Sequence, residues 1–397
     1  MNFHLTDKQA LHEPQDPATR ETASMLPVYG QLPFVPVAAS GCDIITDDGR
    51  HILDLYGGHA VAALGYSHPK LSSAIEHQAR SLLFQSNAVA LGIRAQAAEA
   101  LLAVAPENMA RAFFVNSGAE ANENALRMAC VATGRKKILA VTGGFHGRTA
   151  AAGAVTWNSS AWYGFPNLPF AVAFIPRDDS DAAKAMIDDS VAAVIVEPVQ
   201  GVAGAYDLAP AFLDTLRTAS KRHAALLIAD EVQSGMGRSG EFFAMQRYGI
   251  EPDILTMAKA LGGGIPCGAV LCSQVVASHF GIGSLGSTFG GGPVAAAAIL
   301  AVVDAIQSEH LLANVRAREQ QIREQCVAGP VSKIQGMGLL LGLVCKRPAL
   351  EVRNLLLEQD ILTGTSSDPA VLRILAPLII DETQVNRLAA ALHKIVT

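Results

Sequence analysis

The 397-residue sequence has few charged and few aromatic residues, which make up 17% and 6% of the chain, whereas half of its residues are hydrophobic. This composition favours a packed globular protein over a disordered chain. The formal net charge is -6, and no basic cluster is present, so the sequence lacks the features of a nucleic-acid-binding protein. The apolar run Ala295–Val303 holds nine residues. A membrane-spanning helix needs about 20, so we expect neither nucleic acid nor a membrane as a partner.

The sequence also lacks a secretion signal and any regular cysteine spacing. Residues Met1–Ser24 are polar and have no apolar core segment, so they do not resemble a signal peptide. We predict that they form a loose arm that orders late or packs on a partner subunit. The six cysteines are scattered, and neither a histidine nor a second close pair accompanies Cys267 and Cys272. We therefore expect free thiols, no metal site and a cytoplasmic protein.

Short apolar runs alternate with helical stretches over most of the chain. The runs Val191–Val196 and Ile254–Met257 do not alternate polar with apolar residues, which is typical of strands buried on both faces. Helices are predicted over Ser117–Thr133 and Ala209–His223. This alternation predicts an α/β fold with a mostly parallel sheet, whose ligands lie at the carboxyl ends of the strands. The other predicted elements of this part are Lys137–Thr142, Ala224–Ala229, Gly268–Cys272 and Val294–Ile306.

The length and a change of pattern predict two domains. The chain is too long for one small core. We assign residues 56–308 to a large α/β domain and residues 309–397 to a smaller α+β domain. Residues 1–55 contain short strand signals around the turn Asp47–Gly49, and we predict that they join the smaller domain. The predicted elements after residue 310 are Leu311–Cys326, Leu339–Val344, Pro348–Gln359, Val371–Leu375 and Asp381–Val396.

Two charged residues stand at the carboxyl ends of predicted strands. Asp230 directly follows Ala224–Ala229, where its carboxylate either faces a ligand or caps the next loop. Lys259 follows Ile254–Met257 and precedes the three glycines Gly262–Gly264. Glycines let a bulky group approach the backbone, and a lysine partly removed from water has a lowered pKa and can form a Schiff base. The alternative for Lys259 is a surface lysine whose stem covers the sheet edge.

The segment Asn116–Glu120 has the pattern of an anion site. It follows an apolar run and opens the helix Ser117–Thr133, where free N–H groups and the helix dipole favour a phosphate. Ser117 and Glu120 also fit a capping box, which needs no ligand. No dinucleotide fingerprint and no P-loop are present, so we exclude NAD-dependent enzymes and NTPases.

Two further glycine-rich loops carry side chains suited to a cofactor. In Gly143–Arg148, Phe145 can stack on a flat ring and Arg148 can bind a carboxylate with two hydrogen bonds. His146 in that loop is interpreted as a structural histidine rather than a catalytic one. The loop Gly286–Gly292 suits a phosphate or forms a flexible turn. A Schiff-base lysine, a carboxylate, an aromatic and a phosphate cup together match the needs of pyridoxal 5'-phosphate (PLP).

From about Leu26 to the C-terminus the sequence resembles the class III aminotransferases of the fold-type I PLP enzymes, and is most similar to acetylornithine aminotransferases. The resemblance implies a large domain with a mostly parallel seven-stranded sheet flanked by helices, and a smaller α+β domain built from both termini. It is carried by Leu53-Asp54-Leu55, Gly57-Gly58, Leu64-Gly65, His68-Pro69, Asn116–Asn122, Phe145–Arg148, Val196-Glu197-Pro198, Gln200-Gly201, Asp230–Arg238, Pro252–Gly264, Gly286–Gly291 and Gly336-Met337-Gly338.

The resemblance implies the following roles for cofactor-binding residues. Lys259 would bind PLP as a Schiff base and then act as the base for the 1,3-proton shift. Asp230 would hold the proton of the pyridinium nitrogen, and Gln233 would bond the phenolic oxygen. Phe145 would stack on the ring, while the phosphate would lie against Ser117, Gly118 and Ala119 and be reached by Thr288 from the neighbouring subunit of a homodimer.

The resemblance also implies substrate contacts. Arg148 would bind a substrate carboxylate, and Arg373 would bind the α-carboxylate of glutamate or 2-oxoglutarate. Glu197 would pair with Arg373 while an amine is bound at its ω end, and Ser287 would reach the phosphate or substrate across the subunit interface. The implied reaction moves the ω-amino group of N2-acetylornithine, or of a related acylated ornithine or lysine precursor, to 2-oxoglutarate in arginine or lysine biosynthesis.

Several positions depart from the family pattern, and they leave the amino donor open. His59 replaces a small or aliphatic residue, and Val202, Leu285 and Gly292 lie in loops that face the substrate or a partner subunit. The alternatives are another ω-aminotransferase, acting on ornithine, succinylornithine or 4-aminobutyrate, or a PLP-dependent aminomutase. A degenerate PLP-binding scaffold is a further alternative, and the set of Lys259, Asp230 and Gln233 with the two arginines argues against it.

Overall fold

The helices and strands follow the predicted alternation. The computed structural model describes residues 16–396. The described strands, in chain order, are β1 (Pro36–Ser40), β2 (Asp43–Thr46), β3 (His51–Asp54), β4 (Met109–Val115), β5 (Lys137–Val141), β6 (Ala171–Ile175), β7 (Val191–Val196), β8 (Val199–Gln200), β9 (Tyr206–Asp207), β10 (Leu226–Asp230), β11 (Ile254–Met257), β12 (Gly268–Ser273), β13 (Val331–Met337), β14 (Leu340–Cys345), β15 (Ile361–Leu362), β16 (Gly364–Thr365) and β17 (Val371–Ile374).

The described helices connect and cover these strands. In chain order they are α1 (Pro17–Ser24), α2 (Gly57–Ala60), α3 (Pro69–Ser81), α4 (Gly92–Val104), α5 (Gly118–Thr133), α6 (Ala150–Ala154), α7 (Ser180–Met186), α8 (Pro210–Arg222), α9 (Ala244–Tyr248), α10 (Gln274–Ala277), α11 (Pro293–Ser308), α12 (Leu311–Gln325), α13 (Ala349–Leu357) and α14 (Glu382–Lys394).

A seven-stranded sheet in the order β4-β12-β11-β10-β7-β5-β6 forms the centre of the large α/β part. Only β12 runs antiparallel to its neighbours within this described sheet. Its central strands are buried on both faces: Ile138 and Ala140 of β5 belong to the core that includes α5, whereas Leu139 and Val141 belong to the core on the opposite face that includes α8. The predicted α/β class with a mostly parallel seven-stranded sheet is confirmed.

The two ends of the chain meet in a second, smaller sheet. The strands β1, β2 and β3 pair in antiparallel order, and β15 from the C-terminal part adds in parallel to β3. Arg50 and Asp360 form an ion pair at 2.7 Å beside this junction. A third sheet, in the order β13-β14-β17-β16, packs with the C-terminal helices. The domain boundaries at residues 55/56 and 308/309 stay predictions.

Two features differ from the sequence-based expectations. Part of the predicted loose arm, residues 1–15, lies outside the described residues, and the remainder is the helix α1 rather than an irregular segment. The reason is local: the Asp16 side chain accepts hydrogen bonds from the N–H groups of Ala18 and Thr19, and Pro17 occupies the first helical position.

The strand β13 was not predicted, because Val331–Met337 mixes polar and apolar residues without regular alternation.

Membrane-crossing potential is limited to one bent pair of helices within residues 16–396. No single described helix is long and apolar enough to cross a membrane. The helices α11 and α12 satisfy the length and composition test only together, and they are bent by 65° at the break between them.

Candidate active site

Five strands deliver the predicted site residues to one edge of the large sheet. Since β12 is antiparallel to both β11 and β4, the strand β4 has the same direction as β11, β10, β7 and β5. The carboxyl ends of these five strands therefore lie at the same edge. The residues that follow or end them are Ser117, Lys259, Asp230, Glu197 and the loop Gly143–Arg148.

A cavity of about 520 Å³ opens at this edge. Its size is typical of sites for small molecules and cofactors. Ser287, Thr288 and Arg373 are absent from its lining, whereas nine of the twelve predicted site residues line it. These nine are Ser117, Gly118, Ala119, Phe145, Arg148, Glu197, Asp230, Gln233 and Lys259.

Asp230 is held in a buried network of hydrogen bonds. Its Oδ2 accepts a hydrogen bond of 2.7 Å from Nδ2 of Asn122 and lies 2.7 Å from Nδ1 of His146. Its Oδ1 accepts from the N–H of Val232 at 3.0 Å. Asp230, His146 and Asn122 are each at most 2% exposed. These contacts fix the orientation of the Asp230 carboxylate and stabilise its charge, although it is buried.

Lys259 begins a short 3-10 turn directly after β11 and has a left-handed backbone, with φ of 45°. Such a backbone is unfavourable for a residue with a side chain and tends to occur at functional sites. Burial lowers the pKa of Lys259 below its usual value, while the charges of Asp230 and Glu197 oppose this effect. A lowered pKa increases the fraction of neutral amine, which is the nucleophilic form.

The start of α5 forms a close-fitting cradle at the cavity. The Ser117 hydroxyl accepts a hydrogen bond from the N–H of Glu120 and caps the helix. The first N–H groups of a helix, here those of Gly118 and Ala119, have no partner within it and suit an anion. A Cβ added at Gly118 would lie only 2.7 Å from Cγ1 of Val232, so this position requires glycine.

Two polar atoms in the cavity wall are buried without a partner. Oε1 of Gln233 and Nε2 of His146 have no hydrogen bond, although both residues are buried. Leaving a buried polar atom unpaired is costly. Both residues line the cavity, so each brings an unsatisfied polar side chain to its wall.

Arg148 and Phe145 occupy the same loop but differ in their contacts. The Phe145 N–H donates a 2.7 Å hydrogen bond to Oε1 of Glu197, which fixes the loop against the end of β7. Arg148 is exposed at the cavity and makes no hydrogen bond or ion pair with any residue that the structure describes. Its guanidinium stacks on the ring of Trp162, with 4.6 Å between the guanidinium carbon and the ring centre.

Glu197 and Arg373 do not form an ion pair within residues 16–396. Glu197 accepts from the N–H groups of Phe145 and Gly201, and burial together with the neighbouring Asp230 raises its pKa. Arg373 donates to the carbonyls of Thr365 and Gly201 at 2.7 and 3.2 Å and to the Tyr56 hydroxyl at 3.3 Å. Since Gly201 contacts both residues, it links them indirectly, and their predicted pairing during the reaction stays a prediction.

Ser287 and Thr288 do not line the cavity of their own chain, although Ser287 contacts Asn116, which does. The Ser287 hydroxyl accepts from the side-chain amide of Asn116 at 3.3 Å and from the N–H of Gly290 at 3.0 Å, and Thr288 is exposed. This placement is compatible with their predicted role across a subunit interface, which stays a prediction.

Sequence reasoning gave no role to Asn122 and Tyr56 and did not find the partner of His146. His146 was interpreted as structural, and the structure shows that it bonds Asp230; its interpretation as a structural histidine stays a prediction. Asn122 belongs to a recognised motif without a role, and it bonds both Asp230 and the carbonyl of His146. Tyr56 lies between Arg373 and His59, the residue that differs from the family pattern, and its hydroxyl is 2.5 Å from Nδ1 of His59. The one signal that the sequence offered for these contacts was the position of His146 within the glycine-rich loop Gly143–Arg148.

The comparison with protein families decides what kind of protein this is. The family model for the class III aminotransferases matches residues 25–396 of the chain. The chain belongs to this family. It is therefore an aminotransferase, as the arrangement of Lys259 and Asp230 at the sheet edge led us to expect.

Class III relatives match almost the whole chain. An acetylornithine aminotransferase of Mycobacterium leprae is 38% identical over 373 residues, which cover 93% of this chain and 92% of the relative. An acetylornithine aminotransferase of Methanocaldococcus jannaschii is 37% identical over 388 residues, with 94% and 96% covered.

Solved class III structures share the fold. The ornithine aminotransferase of Toxoplasma gondii, which holds PLP at partial occupancy in its active site, superposes with a TM-score of 0.89 at 25% identity and covers 95% of this chain and 93% of its own. An acetylornithine aminotransferase of Elizabethkingia anophelis has a TM-score of 0.85 at 28% identity, with 95% and 97% covered. The predicted family and fold class are confirmed.

Proposed function

We propose that this aminotransferase moves the ω-amino group of N2-acetylornithine, or of a closely related acylated ornithine or lysine precursor, to 2-oxoglutarate, giving a semialdehyde and glutamate in arginine or lysine biosynthesis. The observation that carries the proposal is the unpaired guanidinium of Arg148 in the cavity that also contains Lys259. An arginine without a protein partner can bind a substrate carboxylate with two hydrogen bonds. The acetylornithine aminotransferases among the relatives support this donor.

The residues of the cavity fit PLP as the cofactor. Three observations support the fit: the glycine cradle at the start of α5, the unpartnered Oε1 of Gln233, and the pair of Lys259 and Asp230 in one cavity. PLP supplies an electron sink for the carbon from which a proton is removed. The N–H groups of Gly118 and Ala119 would hold its phosphate, and Lys259 would bind its aldehyde carbon.

The remaining side chains of the cavity would hold and orient the cofactor ring. Asp230 would hold the proton of the ring nitrogen, since its carboxylate is fixed by Asn122 and His146. The Gln233 side chain would bond the phenolic oxygen of PLP, since its amide oxygen has no hydrogen-bond partner among the described residues. Phe145 would cover one face of the ring. Lys259, as a neutral amine, would carry the proton between the substrate carbon that bears the amino group and the aldehyde carbon of the cofactor.

Two arginines would sort the carboxylates of the two substrates. Arg148 lies at the cavity without a partner and would bind the donor's carboxylate. Arg373 is surrounded by two carbonyls and a phenol, which leave its positive charge without a carboxylate partner in the described structure. It would bind the α-carboxylate of 2-oxoglutarate or glutamate, with Glu197 nearby to neutralise it when this substrate is absent.

Ornithine is the second candidate donor. The superposition on an ornithine aminotransferase, with a TM-score of 0.89, favours it. His59 and Tyr56 offer polar groups next to Arg373 that an unacylated donor could use.

The test is the first half-reaction, followed without 2-oxoglutarate. We expect N2-acetylornithine to remove the visible absorbance of the PLP-loaded enzyme, with a kcat/KM at least about tenfold above that of ornithine, because a site that fits an added group discriminates by roughly this factor. Succinylornithine and 4-aminobutyrate serve as comparison donors. Equal rates with all ω-amines would contradict the proposed donor, and an enzyme that turns over without 2-oxoglutarate would instead be a mutase.

We also propose that the enzyme is a homodimer with shared active sites. Exposed apolar side chains surround the loop that carries Ser287 and Thr288: Phe84 and Phe289 are 44% and 64% exposed, and their ring centres lie 5.3 Å apart. Contiguous exposed apolar surface marks an interaction site. We expect light scattering to give twice the chain mass. A charge at Phe289, as in Phe289→Asp, should shift the enzyme towards monomer and reduce activity, and an active wild-type monomer would contradict the proposal.

The cytoplasmic location remains a proposal as well. All six cysteines are free, and five of them are buried, as is typical of proteins in a reducing compartment. Fractionation of the source cells would test the location, and enzyme recovered outside the cytoplasm would contradict it.

A further inference from the structure

Both tryptophans of the chain, Trp157 and Trp162, lie in one loop next to the cavity. Trp162 is half-buried, and its ring carries the guanidinium of Arg148 at 4.6 Å. Stacking on an aromatic ring uses the face of a guanidinium and leaves its N–H groups at the edge. Arg148 is therefore held in place while its hydrogen-bond donors stay available to a carboxylate.

The loop is anchored firmly enough to hold Trp162 in position. The N–H of Trp157 donates to the carbonyl of Gly144 at 2.8 Å, and the Tyr163 hydroxyl donates to the carbonyl of Ala150 at 2.8 Å. The rings pack over Gly153 of α6: a Cβ added there would lie 3.2 Å from the ring of Tyr163 and 3.6 Å from that of Trp162. Trp162 thus lies between the helix α6 and Arg148.

We propose that Trp162 is a specificity-determining residue that selects amino donors with an acylated α-nitrogen. This inference rests on the proposed function. The indole holds Arg148, which lines the cavity, for the donor's α-carboxylate. The acylated nitrogen is attached to the same carbon as that carboxylate, so the acyl group would lie next to the part of the ring that Arg148 leaves uncovered. The class of donor is therefore an N-acyl amino acid with a terminal primary amine.

The charges around Arg148 favour the same choice. A donor with a free α-ammonium would bring a second positive charge next to the guanidinium, whereas acylation removes this charge. Thr149 follows Arg148, and its hydroxyl donates a hydrogen bond to the carboxylate of Glu123. The same carboxylate also accepts from the N–H groups of Ala151 and Ala152. Hence the carboxylate of Glu123 is already engaged and is not available to accept an α-ammonium.

The test compares two donors in four enzymes. We would measure kcat/KM for N2-acetylornithine and for ornithine with the PLP-loaded wild type, Trp162→Leu, Trp162→Phe and Trp157→Phe. The ratio of the two values should fall about tenfold in Trp162→Leu, since the loss of one apolar contact in a pocket changes discrimination by roughly this factor. Trp162→Phe keeps a ring and should keep most of the preference. Trp157→Phe is the matched control and should keep all of it, because Trp157 packs on Phe174 rather than on Arg148.

A binding measurement provides a readout that does not depend on turnover. Trp157→Phe leaves Trp162 as the single tryptophan. In the cofactor-free form of this variant no half-reaction takes place, so the emission of Trp162 should change on titration with N2-acetylornithine and respond at least about tenfold more weakly to ornithine. If the donor ratio in Trp162→Leu is unchanged, or if kcat/KM falls equally with both donors, the proposed role of Trp162 is overturned and the proposed donor is not. A wild type without a preference for the acetylated donor would overturn the proposed donor itself, so the two failures are distinguishable.

Discussion

Replacing Lys259 with alanine is expected to give a protein without the visible absorbance of a covalently bound cofactor and to lower the transamination rate by at least about a thousandfold. Lys259 is the only lysine in the cavity lining, and burial lowers its pKa. The same side chain is needed twice, as the nucleophile that binds the cofactor and as the base that moves the proton. Absorbance spectra and initial rates with saturating PLP measure both effects.

The control for this prediction is Lys184→Ala. Lys184 lies on α7 with 59% of its side chain exposed, where it pairs with Asp181, so its loss should change neither colour nor rate. Borohydride treatment of the wild type, followed by peptide mass analysis, should place the reduced cofactor on Lys259. A Lys259→Ala protein that still carries covalently attached cofactor after borohydride reduction would sink the assignment.

Replacing Asp230 with asparagine is expected to lower kcat about a hundredfold to a thousandfold and to weaken cofactor binding. The substitution preserves the size of the side chain but removes its negative charge. Without that charge, Asp230 would no longer hold a proton on the ring nitrogen of PLP, and the ring would be a weaker electron sink. Because Asn122 and His146 donate to the same oxygen of Asp230, the neutral amide also disturbs this buried network.

Asp181→Asn provides the matched surface change, because this carboxylate is 95% exposed. Steady-state kinetics and PLP titrations would compare the two variants, and circular dichroism would verify that Asp230→Asn is folded. Full activity in the folded Asp230→Asn enzyme would refute the role of this carboxylate.

The strands and helices that carry the site were predictable because their signals are local. The run Val191–Val196 is apolar throughout and forms β7, as predicted. The helix α5 ends at Thr133, where Gly134 adopts a left-handed backbone with φ of 69°. Such signals depend on residues that are near one another in the sequence. They placed Asp230, Lys259 and Ser117 correctly at the ends of strands.

Contacts between segments that are distant in the sequence were harder to predict. The contact of His146 with Asp230 was not predicted, because nothing in the loop Gly143–Arg148 indicates that Asp230, 84 residues away, lies next to it. Likewise, Arg148 contacts Trp162 only because the segment that carries Trp162 folds back onto α6. This packing depends on the space left by Gly153. The sequence contained these residues but not their distances.

The sequence alone therefore determined the α/β class, the strand that carries each reactive residue and, through its resemblance from about Leu26 to the C-terminus, the aminotransferase family. The tertiary structure alone decided which of these residues share one cavity and which side chains support them. The physical reason lies in the range of the interactions. Helix caps and runs of buried residues act over a few neighbouring positions, whereas the contacts of Asp230 and Arg148 form only when parallel strands bring separate loops to one edge of the sheet.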